Sequence, residues 1–492
     1  MLSRIIRPNL VIRGPRFQPN PVVSRRAGSS LRLQAQVADV SKGIDTADCP
    51  LPAFIGKPHA QSELPVVGSM STPPSVSLDA AKLENVSASP VTFVIQRDRD
   101  EFWRKVPVWA DVTAKDFLSY RWSIANTVQG TVKLFKFLQA VVPDEVPVEK
   151  LGMQMQSRDE FIKDVLDGVA AATMAIRMTP YILSRVNWLD PRHDPIVRQF
   201  LPMKSIMLPD HPKLTLDSLH ETADSPVKGL ASLKPTRRRW EEAFSYIQSR
   251  PELQDIVVSG GDSYYLQPEQ LTLIGERLIS LPNIKRFRFA SKGLAVAPTR
   301  VLDESDGWVN ALIDISNKAK KAGKSMALHT HFNSPNEISW ISSDAAQKLF
   351  ENGVMMRNQT VLLRGVNDDY ENMTTLIRQL ADNNIIPYYV YQCDLVEKVE
   401  HLRTPLQTIL DLEAQIRGSI AGFMTPSFVV DLPGGGGKRL ACSYQSYDRD
   451  TGVSTFMAPA VTGRDKADKV YEYHDPVGML PGASRGVYKP SI

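Results

Sequence analysis

From about residue 235 the sequence alternates short β-branched runs with amphipathic stretches, and this rhythm constrains the fold more than any other feature. Strand candidates are Asp255–Ser259, Lys285–Ala290, Ser325–His331, Gln359–Leu363, Ile386–Gln392 and Ser427–Asp431. Helical spacing is predicted near 238–250, 268–280, 307–322, 343–352 and 370–383, with a longer helix beginning at Pro405. Strands joined by helix-length crossovers run parallel, because each crossover returns the chain to the same end of the sheet. The near-continuous apolar strands fit burial on both faces. An open sheet and a (β/α) barrel both satisfy the pattern. In either, ligand sites form at the C-terminal ends of the strands. Four strand candidates end in polar clusters: Ser259–Asp262, His329–Asn333, Gln392–Asp394 and Asp431–Lys438.

The remainder of the chain divides by composition. Residues 1–38 hold Arg4, Arg7, Arg13, Arg16, Arg25, Arg26 and Arg32 among Leu, Ile, Val and Ser, with no acidic residue. This is a mitochondrial-type transit pattern; a basic tail on a cytoplasmic protein is the alternative. Residues 39–98, rich in Pro, Ser and Ala, read as a disordered linker. Residues 99–230 read as an N-terminal helical region. Within it Asp159–Arg185 has helical spacing, Ser157 and Glu160 offer a capping box, and Pro180 is expected to end or kink the helix. The Pro-rich run Asp190–Pro212 is expected as an extended wrap. Residues 231–425 carry the strand–helix units, and 426–492 a glycine–lysine loop and tail.

Composition excludes several function classes. The net charge is +4, but removing the seven arginines of residues 1–38 leaves 51 basic against 54 acidic residues, or −3. A mildly acidic body gives no electrostatic case for nucleic acid. No stretch approaches the roughly 18 uninterrupted apolar residues of a membrane span. The three cysteines, Cys49, Cys393 and Cys442, are far apart. They form neither a disulfide framework nor a local metal site of cysteines alone.

Four constellations carry candidate chemistry. In Val258–Asp262 an apolar strand runs into two glycines and an acid; the glycines admit a ligand close to the backbone, and Asp262 can accept from an amine. A strand-ending turn without a ligand explains it equally. In Asp431–Lys438, Gly434, Gly435, Gly436 and Gly437 lead into Lys438. Arg439 stands where a P-loop requires Ser or Thr. A lysine on a glycine platform can present its amine to an aldehyde carbon, as Schiff-base formation requires; a flexible surface loop is the alternative. Asp394 ends an apolar strand, where a carboxylate calls for a cation or serves as a helix cap. His329 and His331 share a strand face two residues apart; they suit the polar lining of a site, or satisfied core positions, better than a metal pair.

Taken together and in order, these pieces resemble the lysine 2,3-aminomutase family. The matching blocks begin with Thr179-Pro180-Tyr181, Asp190-Pro191 with Asp194-Pro195, Asp224–Leu230 and Ser259–Asp262. They continue with His331–Asn333, Pro335–Glu337, Asn358–Asp368, Pro387–Asp394, His401–Pro405 and Asp431–Lys438. The resemblance covers roughly residues 100–460. It implies a partial parallel (β/α) barrel of radical S-adenosylmethionine type. It also implies an isomerase that exchanges an α-amino group with a β-hydrogen, most plainly L-lysine to L-β-lysine. By resemblance Lys438 carries pyridoxal phosphate as a Schiff base, and Asp394 and Asp431 hold the side-chain ammonium of lysine. Ser259, Gly260, Gly261 and Asp262 receive S-adenosylmethionine, Gln359 lies on the same cofactor side, and His331 and Asn333 line the site. The implied partners are an amino-acid substrate, further copies in a homo-oligomer, and an external electron donor. Neither nucleic acid nor membrane is implied.

The chain departs from the family at one place. There, a strand and a CxxxCxxC loop that binds a [4Fe–4S] cluster follow the Asp224–Leu230 block. Here Leu230 is followed by Ala231–Pro235 and then by Thr236–Trp240, which looks like the helix expected after that loop. No cysteine lies between Cys49 and Cys393, so no metal ligands are assigned. The barrel is expected to lack its first strand, together with nearby family arginines for the cofactor phosphate and the substrate carboxylate. Arg237–Arg239 read as an exposed helix start. No structural zinc is expected. The chain as written is expected to be inactive. Either it derives from a skipped segment of an active gene, or it is a non-catalytic, pyridoxal-binding or regulatory partner of a complete homologue.

Overall fold

The computed structural model describes residues 7–11, 99–150, 152–173, 175–219, 237–458 and 469–481. The linker, the Asp224–Leu230 block, the Leu230–Pro235 junction and Cys49 lie outside the described residues, as does most of the segment read as a targeting sequence.

The strand–helix rhythm becomes one curved, mostly parallel half-barrel sheet. Its strands are β1 (Arg7–Val11), β2 (Asp255–Gly261), β3 (Arg286–Ala290), β4 (Ser325–Thr330), β5 (Met355–Val361), β6 (Ile385–Tyr391), β7 (Ser427–Leu432) and β8 (Gly437–Leu440), adjacent in that order. β2 to β7 are parallel throughout. The edge strands β1 and β8 are antiparallel. Five residues of the stretch read as a targeting segment thus pair with β2 at the edge of the sheet.

The crossovers are α1 (Arg237–Gln248), α2 (Pro268–Ser280), α3 (Trp308–Lys321), α4 (Trp340–Glu351) and α5 (Tyr370–Asp382), and α6 (Leu406–Ile416) precedes β7. They cover one face of the sheet. Ile256, Val258, Phe287, Phe289, Met326, Leu328 and Met356 pack there against Leu271, Leu278, Leu312, Ile315, Ala345 and Leu349 in one buried cluster. The expectation of apolar burial on both faces holds only for this convex side. The alternate residues, on the concave side, are largely polar. β5 also begins four residues earlier than its sequence suggested. Arg357 and Asn358 interrupt the apolar run, but Arg357 faces the concavity while Asn358 is buried and hydrogen-bonded to Thr330 and Phe332.

Residues 99–219 are less purely helical than expected. Helices Gly130–Val141, Arg158–Ala171, Pro180–Ser184 and Pro195–Phe200 are accompanied by two small ribbons, Val128–Gln129 with Arg177–Met178 and Glu145–Pro147 with Met155–Ser157. The capping box forms as predicted, with Ser157 and Glu160 exchanging bonds. Pro180 does not terminate that helix. The helix ends at Ala171, and Pro180 opens a new one behind the Thr179 cap, because proline suits the first turn, where no N–H is needed. Within the predicted wrap Asp194 caps a real helix by accepting from Ile196 and Val197. The region has its own aromatic core, in which Trp103 stacks on Phe117 at 4.3 Å. Ile341 of α4 is buried in this core, and the Tyr181 hydroxyl donates to the Glu337 carbonyl at 2.9 Å.

The predicted tail contains an antiparallel sheet of β9 (Ser446–Asp448), β10 (Val453–Met457) and β11 (Val470–His474). It is fastened to the end of β6 by a buried polar network. Arg403 is fully buried and donates to Glu400 at 2.7 Å; it also donates to the Tyr473 hydroxyl and the His474 carbonyl. Tyr473 in turn donates to the Cys393 carbonyl at 2.8 Å. Arg403→Ala leaves Glu400 buried without its partner, which costs about 3–5 kcal/mol. A lowered midpoint in urea unfolding, with the far-UV circular dichroism of the folded state unchanged, is the expected outcome.

Candidate active site

Strand register assembles the concave face. Ala290 lies opposite His329 and His329 opposite Arg357. Gln359 lies opposite Tyr389, and Tyr391 is flanked by Val361 and Val429. Arg288, opposite Ala327, faces the same side. Two residues beyond Val429, Asp431 lies opposite Lys438 of β8.

That last pairing is the chemical centre of the face. β7 and β8 form a hairpin whose turn is Pro433–Gly436. Gly434, Gly435 and Gly437 have φ of 68°, 77° and 81°, the left-handed region that disfavours side chains. At Gly436 a Cβ would sit 2.6 Å from the Leu432 Cβ. The Gly434 amide donates to the Ser218 carbonyl at 2.8 Å. The glycines therefore build a tight, anchored turn rather than a flexible loop, and Lys438 sits on a strand. Its ammonium pairs with the Asp431 carboxylate and lies 4.9 Å from the centre of the Tyr391 ring. With side-chain exposures of 22% for Lys438 and 8% for Asp431, the pair is largely buried. Asp394 is half-buried three residues past Tyr391, beyond the same two strand ends. Cys393 beside it is buried, and that burial, reinforced by the Asp394 charge, pushes its thiol up to about 12.

The other predicted residues distribute unevenly. Ser259–Gly261 end β2, as expected. Asp262 spends its carboxylate on the backbone N–H groups of Tyr264 and Lys292, at 2.9 and 2.8 Å; burial raises its pKa. These bonds shape the turn that follows β2. Asn333 is fully buried, accepting from the Val361 amide and donating to Gln199; it positions the end of β5. His331 is buried with its carbonyl bonded to Lys292, and burial together with Lys292 holds its pKa well below the usual histidine range. Gln359 lies on the concave face, with its amide nitrogen 3.3 Å from Nδ1 of His329.

Sequence reading missed Arg288, Arg357 and the tyrosines of β6. Tyr388 and Tyr389 are joined hydroxyl to hydroxyl at 2.9 Å. Burial, then that bond, raises the Tyr389 pKa. The alternation Arg286-Phe287-Arg288-Phe289 was the available signal: aromatic residues toward the helices, arginines away.

No protein-family model matches the chain. It is 31% identical over 418 residues to L-lysine 2,3-aminomutase of Clostridium subterminale, which takes in 77% of this chain and 90% of that protein. The chain belongs to the lysine 2,3-aminomutase family. L-Lysine 2,3-aminomutase of Acetoanaerobium sticklandii is 32% identical over 361 residues, 67% of this chain and 80% of that protein. Glutamate 2,3-aminomutase of Clostridioides difficile is 26% identical over 364 residues, 66% and 77%. This is an amino-acid 2,3-aminomutase family of isomerases.

Its general cofactors can be set against the residues present. A pyridoxal aldehyde fits: Lys438 is held on a rigid strand above an aromatic ring. An iron–sulfur cluster does not. Three thiolates must converge within a few ångströms, whereas Cys393 is buried, Cys442 is exposed, and the third cysteine is Cys49. Among the described residues no group of three or more His, Cys, Asp and Glu is placed to hold a metal ion.

Because the hairpin turn admits no side chain at Gly436, Gly436→Ala in this aminomutase should cost about 1–3 kcal/mol through overpacking and displace Lys438. Borohydride trapping of added pyridoxal phosphate should fall with it, while Gly422→Ala, whose Cβ meets nothing within 4 Å and whose backbone is not left-handed, leaves trapping unchanged.

Proposed function

We propose that the intact gene product is a 2,3-aminomutase for a basic amino acid, L-lysine, using pyridoxal phosphate on Lys438 and S-adenosylmethionine at Ser259–Gly261, and that the chain as written does not complete the reaction. The observation that carries the substrate assignment is the Lys438–Asp431 pair, with Asp394 beyond the neighbouring strand end. When bound, the pyridoxal group supplies an electrophilic carbon and a conjugated system for nitrogen migration. Asp431 neutralises the Lys438 ammonium in the resting chain. Lys438 would hold the pyridoxal group, and Asp431 beside it would be placed to accept from a substrate ammonium. Asp394 supplies the second negative charge. Two carboxylates favour a long cationic side chain and repel glutamate. Tyr391 covers the amine on one side and keeps water from it. The Asp394 end of β6 is held in place by the Arg403–Tyr473 network.

The missing thiolates favour a second reading, a non-catalytic, pyridoxal-binding partner of a complete homologue. Sequencing transcripts across Leu230–Lys234 decides between them: an in-frame insert bearing CxxxCxxC restores the enzyme, and its absence from every message leaves the partner role.

For the full chain, Lys438→Ala should abolish the borohydride-trapped pyridoxyl peptide seen by mass spectrometry; persistence of the adduct would show another lysine to be the carrier. Asp431→Asn should weaken L-lysine binding roughly tenfold, the scale of one charged hydrogen bond. Tighter binding of L-glutamate than of L-lysine by the parent chain would sink the basic-substrate assignment.

A further inference from the structure

The segment Asp210–Ser218 touches both halves of the lysine site. Ser218 is buried, and its carbonyl accepts from the Gly434 amide at 2.8 Å, in the turn that leads to Lys438. Three residues earlier, Thr215 forms a parallel bridge with Val396 and donates its N–H to the Leu395 carbonyl at 3.0 Å. Leu395 follows Asp394 directly, and its side chain is buried in one cluster with Leu214, Leu432 and Tyr473. At the head of the segment, Asp210 accepts from the Lys398 amide at 2.9 Å and pairs with the Lys398 ammonium at 3.1 Å. Lys398 has a φ of 66°, a left-handed conformation that a lysine keeps only where its surroundings hold it.

One further contact closes the segment down. The His211 ring lies against His474 of β11, with centres 5.2 Å apart and planes tilted by 33°. His211 Nδ1 accepts from the Lys213 amide at 3.1 Å, so it carries no proton in this arrangement. The charged groups around the two rings are Arg403, which donates to the His474 carbonyl, Glu472, 3.3 Å from His474 Nε2, and Lys213. Asp210 is engaged by Lys398. Burial, then His474, Arg403 and Lys213, lower the His211 pKa from 6.5 to about 4. Burial also lowers that of His474. A proton on His211 displaces the Lys213 bond and sets a new cation beside Arg403 and Lys213.

We propose that Asp210–Ser218 is a positioning strap for the lysine site, holding the chain after Asp394 and the glycine turn before Lys438, with the His211–His474 contact as its clamp. The strap rests on its own contacts; that the groups it positions serve lysine rests on the function proposed above. It acts through backbone bonds. Thr215 fixes the loop that leaves β6, and Ser218 fixes the turn between β7 and β8, so one short segment sets the spacing between Asp394 and the Asp431–Lys438 pair. The sign of its pH response follows from the neutral ring. A released His211 takes a proton near 6.5, whereas the clamped ring resists until about 4. Above that window the closed strap loses nothing. As pH falls through it, protonation favours the open strap.

The test uses the full chain and follows two signals. Hydrogen exchange, read by mass spectrometry and corrected for the intrinsic rate, reports the Thr215 and Gly434 amides without any cofactor. Borohydride trapping of added pyridoxal phosphate reports Lys438; comparing each variant with the parent at the same pH cancels the titration of the lysine itself. Acidification from about pH 7.5 to about pH 5, across the histidine range, should speed exchange at both amides in the parent. It should not do so in His211→Phe, which keeps a ring against His474 and takes no proton. Trapping by His211→Phe should equal that of the parent at the higher pH and exceed it roughly threefold to tenfold at the lower. Asp210→Ala should speed exchange and slow trapping at the higher pH by a similar factor. Asp210→Asn, whose carbonyl oxygen can still accept from Lys398, should recover most of the loss. The strap is overturned by a parent whose two amides ignore pH, by a His211→Phe that responds as the parent does, or by a folded Asp210→Ala that exchanges or traps as the parent does. If the amides respond as expected but no adduct forms on Lys438 at either pH, the strap stands and the proposed function falls.

Discussion

Each parallel strand of the sheet must satisfy two environments at once, and everything else in the molecule follows from how it does so. Phe287, Phe289, Met326, Leu328 and Met356 take the face beneath the helices. The residues between them are then forced to the concave side, where Arg288, His329, Arg357 and Gln359 gather. A half-barrel built this way has one hydrocarbon core and one polar basin. Charged groups are tolerated in that basin because they meet each other or a ligand, not because the strands are exposed. The convex packing supplies rigidity, and the basin inherits it. Positions fixed by a ladder of backbone hydrogen bonds can hold side chains closely enough for chemistry.

The lysine end of the basin shows how a local sequence device becomes a positioned group. Four glycines alone would make a mobile loop. Here they close a hairpin on β7, and the antiparallel register sets Lys438 opposite Asp431. The chain beyond then doubles back as β9–β11, and the buried Arg403–Glu400 pair ties it to the end of β6. A buried ion pair is a poor source of net stability. Its effect here is to join the β9–β11 sheet to the end of β6.

Family membership and completeness are separate properties of this chain. The relatives align over most of its length, and the Lys438–Asp431 pair is in place. The thiolates that a cluster needs are absent from the sequence, and β2 is bordered by the antiparallel strand Arg7–Val11. An edge strand left bare presents unpaired N–H and C=O groups, and pairing with β1 satisfies that requirement without restoring ligands.

Much was legible from sequence because local physics dictates it. Helix caps such as Ser157 with Glu160, the parallel strand–helix order and the placement of Asp431–Lys438 at a strand end all follow from spacing, capping chemistry and connection length. The ordered motif blocks pointed to the aminomutase family before any coordinates. Other features arise only when distant segments meet. Pro180 reads as a stop in the sequence, yet it starts a helix because Thr179 is free to cap it. The hydrogen bonds of Asp262 to Lys292 and of Asn333 to Val361 and Gln199 link segments far apart in sequence. Arg288 and Arg357 are 69 positions apart in sequence and come to the same concave face only through the register of three strands. Sequence determines which face of a strand a residue takes, because side chains alternate. Tertiary structure alone decides which charges share a basin, because that depends on which strands lie side by side.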